Sequence, residues 1–124
     1  MKRTLALIVL LAACSAQDGA ADGYVLREWA IDGPAQLSAD SAATLTVENA
    51  GEFPHTLVVT TEDGEVVAAT GVVQPGEVTA LEVEAAPGTY SFSCRIVTEN
   101  DQGNLSDHYE RGMHRTVVVV DGNR

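Results

Sequence analysis

The segment Tyr90-Ser91-Phe92-Ser93-Cys94 is the most informative part of this 124-residue chain. Side chains alternate between the two faces of a β-strand, so Tyr90, Phe92 and Cys94 are expected to point together into a core. The two serines are expected on the opposite face. A thiol in that position is either an inert buried cysteine or a metal ligand.

Two other segments carry side chains that can bind a metal together with Cys94. His108 and Met113 follow it after a polar loop, and His55 lies upstream, directly after Pro54. Proline is allowed at the start of a strand, which would place the His55 imidazole at the end of a sheet. Thiolate and thioether suit copper(I), and imidazole suits both copper oxidation states. The four side chains together predict a blue-copper site, although a lone histidine in such a position is more often structural or exposed.

Short β-rich runs separated by Gly, Pro and Asp continue from Tyr24 almost to the end of the chain. No apolar spacing of three and four residues persists over the length of a helix, so the pattern predicts an all-β sandwich. Four successive valines near the end predict a strand that is covered on both faces. The expected strands include 24–31, 44–48, 55–60, 65–69, 78–85, 90–94 and 116–120.

With these segments in place, residues 23–121 resemble the cupredoxins, the family of plastocyanin and rusticyanin. The resemblance is carried by Asn49, Gly51, Pro54 and His55, by the strand that ends at Cys94, and by His108 with Gly112-Met113. It implies an all-β, cupredoxin-like Greek-key sandwich or barrel that binds one type 1 copper ion. It also implies a one-electron carrier and not an enzyme.

The resemblance assigns a role to each matching side chain. His55, Cys94 and His108 would be the strong copper ligands, and Met113 the weak axial one. Asn49 and Thr56 would lie next to the ligands without binding the metal, and Thr56 would support the loop at Cys94. His114 is expected to face solvent, because adjacent residues on an extended segment point apart. Tyr109, Glu110 and Arg111 are expected to form the rim around His108.

One departure from the family is the thirteen-residue segment from Arg95 to Asp107 between Cys94 and His108. Cupredoxins place only a few residues there. Its middle, Thr98 to Ser106, is polar and does not have the pattern of a strand. Long loops in compact domains are commonly functional, so this insert is interpreted as a candidate partner-recognition arm.

The first residues have the order of an export signal. Lys2 and Arg3 precede an apolar run from Leu5 to Ala13, which is too short to span a bilayer. Leu11-Ala12-Ala13-Cys14 resembles a bacterial lipobox and implies lipidation of Cys14. The predicted organisation is a signal peptide (1–13), a lipidated Cys14 with a flexible tether (14–22) and one domain (23–124). The alternative is an ordinary signal peptide with an incidental Cys14. Both interpretations predict export, and the lipobox further predicts a lipid anchor in a bacterial membrane, with the domain facing the periplasm or the cell exterior.

The chain is strongly acidic, with 18 Asp and Glu against 7 Lys and Arg and a net charge of −11. This balance argues against nucleic acid as a partner, because phosphate binding needs clustered cations. It favours a basic docking face on a redox protein such as a cytochrome, oxidase or reductase, or simply serves solubility. The chain itself is expected to be a monomer.

Two other functions remain open at this point. A copper acquisition or delivery protein would use the same ligands for a different task. A cupredoxin-like domain without metal would be a binding or structural module.

Overall fold

The computed structural model describes residues 23–121, which form a β-sandwich with one helical turn. The predicted signal peptide, Cys14 and the whole of the predicted tether lie outside the described residues. Within 23–121, no helix has the length and apolar character that crossing a membrane requires. The elements are β1 (Gly23–Arg27), β2 (Ala30–Asp32), β3 (Gln36–Ser38), α1 (Ala39–Ala42), β4 (Thr44–Asn49), β5 (Val58–Thr61), β6 (Val66–Ala69), β7 (Val78–Glu82), β8 (Gly88–Ser93), β9 (Val97–Glu99), β10 (Leu105–Asp107) and β11 (His114–Val120).

Two sheets make up the sandwich. One has four strands in the order β2-β1-β4-β7, and the other has five in the order β3-β11-β8-β5-β6. Most pairs are antiparallel, but β1 pairs with β4 and β11 with β3 in parallel. The all-β sandwich predicted from the sequence is confirmed.

The core lies between the sheets and follows from alternation along the strands. In β4, Leu45 and Val47 are fully buried while Thr44, Thr46 and Glu48 are exposed. In β8, Tyr90 and Phe92 point inward, and Phe92 packs on Tyr24 of β1 at a centroid distance of 5.0 Å. Cys94, directly after β8, belongs to the same buried cluster. The strand that delivers the thiol is therefore anchored in the core by its own aromatic residues.

The first predicted strand, residues 24–31, is in fact a hairpin. The chain turns at Glu28 and Trp29, and β2 pairs back on β1 with Leu26 opposite Ile31. This segment has no Gly or Pro to mark the turn, so the sequence predicts one continuous strand. The turn brings Glu28 and Trp29 to the end of the sandwich at which the predicted ligands lie.

The prediction that the valine run of β11 is covered on both faces is wrong. Val117 and Val119 are buried, but Val118 points outward and is 36 % exposed. The branched side chain of valine restricts χ1 and raises its preference for strands, so valine also occurs at outward-facing strand positions. A run of valines therefore does not by itself indicate two covered faces.

The insert between Cys94 and His108 forms a hairpin, although it lacks a strand-like pattern. β9 and β10 pair antiparallel, with Val97 opposite Asp107. His108 N donates to Ile96 O at 3.0 Å, so the two ends of the insert are joined directly beside the ligands. The hairpin is a closed excursion and does not separate Cys94 from His108 in space.

Paired substitutions in β11 test the one-sided burial. Val117→Thr places a hydroxyl in the core in place of a methyl, which is expected to lower the free energy of unfolding by about 1–3 kcal/mol. Val118→Thr changes an outward-facing residue and is expected to cost less than about 0.5 kcal/mol. Urea unfolding of the metal-free protein measures both, and equal losses would contradict the assigned faces.

Candidate metal centre

Cys94 lies just beyond β8 and is fully buried. Its backbone N donates to Met113 O at 3.0 Å, which continues the pairing between β8 and β11 by one step. Thr56 N lies 3.5 Å from Cys94 Sγ, and Thr56 Oγ1 lies 3.8 Å from it. Thr56 Oγ1 also accepts from Arg95 N at 3.1 Å, so this one residue contacts the thiol and the backbone that follows it.

His55 is fixed by a two-way backbone bridge at the sheet end. His55 N donates to Val73 O at 3.1 Å, and Val73 N donates to His55 O at 2.8 Å. The strand predicted for 55–60 begins only at Val58, so His55 is held by this bridge and not by the regular ladder. Its side chain is fully buried.

Asn49 organises the loop that leads to His55. Its Nδ2 donates to Phe53 O at 2.9 Å and to Val73 O at 2.8 Å, and its Oδ1 accepts from Gly51 N at 2.8 Å. Asn49 is fully buried, so these bonds replace the water that its amide loses. The side chain thus ties together the loop and the segment that pairs with His55.

His108 and Met113 lie at the two ends of a tight turn. Met113 N donates to His108 O at 3.1 Å, and both residues are fully buried. Gly112 has φ of +121°, and a Cβ there would stand 3.3 Å from Trp29 O. The turn therefore requires glycine both for its backbone conformation and for its close approach to Trp29. Met113 belongs to the same core cluster as Cys94.

These segments bring three donor atoms together from distant parts of the sequence. His55 Nδ1 and His108 Nδ1 are 3.2 Å apart, and Cys94 Sγ lies 3.9 Å from the first and 3.6 Å from the second. Within residues 23–121, this is the group of His, Cys, Asp and Glu whose donor atoms are close enough to share a metal ion.

The spacing of the donors fits a metal ion. Nitrogen at about 2.0 Å and sulfur at about 2.3 Å from one ion, spread at 120°, would lie about 3.5–3.8 Å apart. The observed separations lie near that range. Two imidazoles and a thiolate also make a donor set that suits copper. The site therefore fits copper in both donor chemistry and spacing.

His114 is not part of this group. It is exposed, and its ring stacks on the ring of Tyr109 at a centroid distance of 4.4 Å. The Arg95 guanidinium also lies over the Tyr109 ring, 4.5 Å from the ring centroid. The solvent-facing position predicted for His114 is confirmed.

Trp29 covers His108. Its ring packs edge-on against the His108 imidazole at a centroid distance of 4.9 Å. The Phe53 ring lies beside the Trp29 ring, with their centroids 5.9 Å apart. The Arg111 guanidinium lies over the Trp29 ring at 4.6 Å. Among the buried side chains of residues 23–121, His108 Nε2 is the polar atom without a hydrogen-bond partner. The predicted rim of residues 109–111 is thus only part of the cover.

The pKa values of the three donors shift in different directions. Burial raises the pKa of Cys94, but hydrogen bonds from His55 and Thr56 outweigh burial and leave it below its ordinary value. Burial lowers the pKa of His55, but Cys94 and Glu28 outweigh it and leave the pKa raised. Burial, followed by the charge of His55, lowers the pKa of His108. The surroundings thus favour the charged forms of Cys94 and His55, and the neutral form of His108, more than water does.

Glu28 is a site residue that sequence reasoning missed. Its carboxylate lies 2.9 Å from His55 Nε2, on the side of the ring away from Cys94. It is hidden in the sequence because residues 24–31 have the pattern of one continuous strand. Trp29 lies in the same segment, and its contact with His108 depends on the same unpredicted turn.

Comparison with solved structures finds chains of the same fold. A reduced rusticyanin matches with a TM-score of 0.53 and 19% identity, covering 78% of this chain and 77% of that one. Auracyanin B matches with a TM-score of 0.55 and 17% identity, covering 79% of this chain and 86% of that one. A purple cupredoxin from Nitrosopumilus maritimus matches with a TM-score of 0.50 and 16% identity, covering 78% of this chain and 97% of that one. No protein-family model matches the sequence, and no curated protein matches it.

The link between Cys94 and His55 predicts the titration of the thiol. In the metal-free protein, Cys94 is expected to ionise below the ordinary thiol range, as followed by thiolate absorbance in the ultraviolet. His55→Gln removes its main hydrogen-bond partner, so the pKa of Cys94 should rise. His114→Gln is the matched control, since His114 is exposed and contacts Tyr109. An unchanged titration in His55→Gln would contradict the assigned pairing.

Proposed function

We propose that this chain, which has the cupredoxin fold, is a type 1 (blue) copper protein that carries single electrons at the outer side of a bacterial membrane. The observation that carries the proposal is the convergence of His55 Nδ1, His108 Nδ1 and Cys94 Sγ in a buried group. The matched structures share this fold, and the donor set of two imidazoles and a thiolate supports copper as the metal.

The chain's own residues divide the work of the site. His55, Cys94 and His108 would hold one copper ion, and the thioether of the buried Met113 would be a fourth, weaker ligand. A copper ion bound to such donors takes up and releases one electron. Thr56 and Asn49 hold the ligand segments by hydrogen bonds that need no metal, so the donor positions are set before metal binds.

Burial favours an electron carrier over a copper delivery protein. His55, Cys94 and His108 are each fully buried, and the rings of Trp29 and Phe53 cover His108. A delivery protein must expose at least one ligand to an acceptor, whereas a carrier must keep its metal through many redox cycles. The closed site therefore supports the carrier, and slow loss of copper to a chelator would agree with it.

The docking face proposed for a redox partner is the groove between Trp29 and the β9–β10 hairpin. Trp29, Phe53 and Leu105 contribute its apolar surface, and Glu99 and Arg111 also line it. Phe53 is 46 % and Leu105 70 % exposed, and Trp29 joins this surface to His108. The excess of 18 acidic over 7 basic residues suits a redox protein with a basic face.

The membrane location rests on the sequence alone. The apolar run before Cys14 and the lipobox-like Leu11 to Cys14 support export and attachment through a lipid on that cysteine. The short tether up to residue 22 would keep the domain close to its membrane.

Copper loading is the experiment that tests the function. Adding Cu(II) to the metal-free protein is expected to give an intense blue or green colour from thiolate-to-copper charge transfer, and ascorbate should bleach it. Cys94→Ser should abolish the colour because it removes the thiolate. His114→Ala is the control and should leave the spectrum unchanged. A colourless wild-type protein with a reduced, titratable Cys94 would refute the proposal.

Deletion of Thr98 to Ser106 tests the role of the hairpin. The residues at its base are already joined, with Val97 paired to Asp107 and His108 N bonded to Ile96 O. The shortened protein is therefore expected to stay folded and to bind copper with a similar spectrum, while its reaction rate with the redox partner changes. Loss of copper binding in a variant with unchanged circular dichroism would show that the hairpin shapes the site.

A further inference from the structure

Glu28 binds three groups of one loop with a single carboxylate. Glu52 N donates to it at 2.8 and 3.0 Å, Phe53 N donates at 2.9 Å, and His55 Nε2 lies 2.9 Å from Oε2. Glu28 itself belongs to the turn between β1 and β2, on a different segment. The carboxylate thus joins the hairpin turn to both the backbone and the imidazole of the His55 loop.

The loop is shaped to admit this carboxylate. A Cβ at Gly51 would overlap Glu28 Oε2 and would lie 2.8 Å from its Cδ. Because Gly51 has no side chain, the carboxylate can reach the backbone N–H groups beyond it. The position therefore needs glycine because of Glu28, not because of an unusual backbone angle.

The contact between Glu28 and His55 also determines whether the other ring nitrogen of His55, Nδ1, carries a proton. The His55 side chain is 0% exposed, and that of Glu28 is 21% exposed. A carboxylate accepts hydrogen bonds, so the neutral imidazole beside it carries its proton on Nε2. Nδ1 then has a free lone pair, and this atom faces His108 Nδ1 and Cys94 Sγ. Glu28 thus selects the form of His55 that can bind a metal together with the other two donors.

We infer that Glu28 is the positioning residue of the metal centre: it holds His55 as the Nε2–H tautomer with Nδ1 toward Cys94 and His108, and its charge favours Cu(II) over Cu(I). The second half rests on the proposed copper function. The first half concerns the metal-free protein and can be tested without copper.

The decisive variant is Glu28→Leu, which has a side chain of similar size but no oxygen that can accept from His55 Nε2. In the wild type, Oε2 of Glu28 accepts from both backbone N–H groups and also lies 2.9 Å from His55 Nε2. Nitrogen-15 NMR of the metal-free protein, at a pH where the imidazoles are neutral, should report Nε2–H for His55 in wild type and a loss of that preference in Glu28→Leu. Glu28→Gln should keep the Nε2–H tautomer, because its amide oxygen can take the place of Oε2.

Copper affinities provide the second measurement. Loss of a hydrogen-bond partner of a ligand typically weakens metal binding by about 10- to 100-fold. Glu28→Leu, which removes the partner of His55, is expected to lower Cu(II) affinity by a factor in that range and Cu(I) affinity by less. Glu52→Gln is the matched control, because it removes a charge from the same loop while its backbone contact with Glu28 is kept. It should leave the tautomer unchanged and alter the affinities little.

The outcomes separate this inference from the proposed function. An unchanged His55 tautomer in folded Glu28→Leu would overturn the inference, as would equal effects of Glu28→Leu and Glu52→Gln on the ratio of the two copper affinities. If Glu28→Leu does not fold, Glu28→Asp is assessed by the same tautomer criterion, since it keeps the charge but shortens the reach to His55. A wild-type protein that shows the Nε2–H tautomer but binds no copper would refute the function and leave the positioning role standing.

Discussion

The whole arrangement depends on keeping three polar side chains, the candidate metal donors, inside an apolar core. His55, Cys94 and His108 come from three separate segments and are fully buried between the sheets. A buried polar group without a partner costs about 1–3 kcal/mol, so each must find a substitute for water. Glu28 supplies one for His55 and Thr56 one for Cys94. The His108 ring interacts with the other two donors through Nδ1, while its Nε2 stays unpaired beneath Trp29.

The surrounding frame explains why these groups stay in place. Asn49 ties the His55 loop to Val73, and Cys94 and His108 both bond to the backbone of Met113. None of these bonds involves a donor atom of the metal centre. A frame that does not rely on the metal can hold nearly the same geometry in two oxidation states, which is the physical requirement for easy transfer of one electron. The same rigidity works against rapid release of the metal.

The cover of the centre is built from parts that are distant in sequence. Trp29 comes from the first hairpin, Phe53 from the loop before His55, and Arg111 from the turn after His108. The β9–β10 hairpin extends this surface with Leu105. An electron that passes through the His108 imidazole would therefore meet an aromatic side chain before it reaches solvent. This places the proposed partner contact on Trp29 and its neighbours instead of on an exposed imidazole edge.

The sequence by itself determined the sandwich and identified the three converging donors. Alternation in segments such as 44–48 and 90–94 reflects burial on one face, which is a local property that a sequence records directly. The types and order of His55, Cys94 and His108 could be recognised for the same reason, because donor chemistry resides in single residues. The copper role of Met113 stays a prediction, since its burial and backbone bonds are compatible with both a ligand and a core residue.

Only the tertiary structure decided which residues surround those donors. The turn at Glu28 and Trp29 has no Gly or Pro signal, and it forms because Leu26 and Ile31 can pair across it inside the sheet. The outward position of Val118 depends on which parts of the chain cover β11, and the pairing of β9 with β10 depends on how the insert folds back on itself. The local pattern of apolar and polar residues records neither. The contacts of Glu28 with His55 and of Trp29 with His108 span 27 and 79 positions of sequence respectively, so long-range packing, and not the pattern around either residue, creates them.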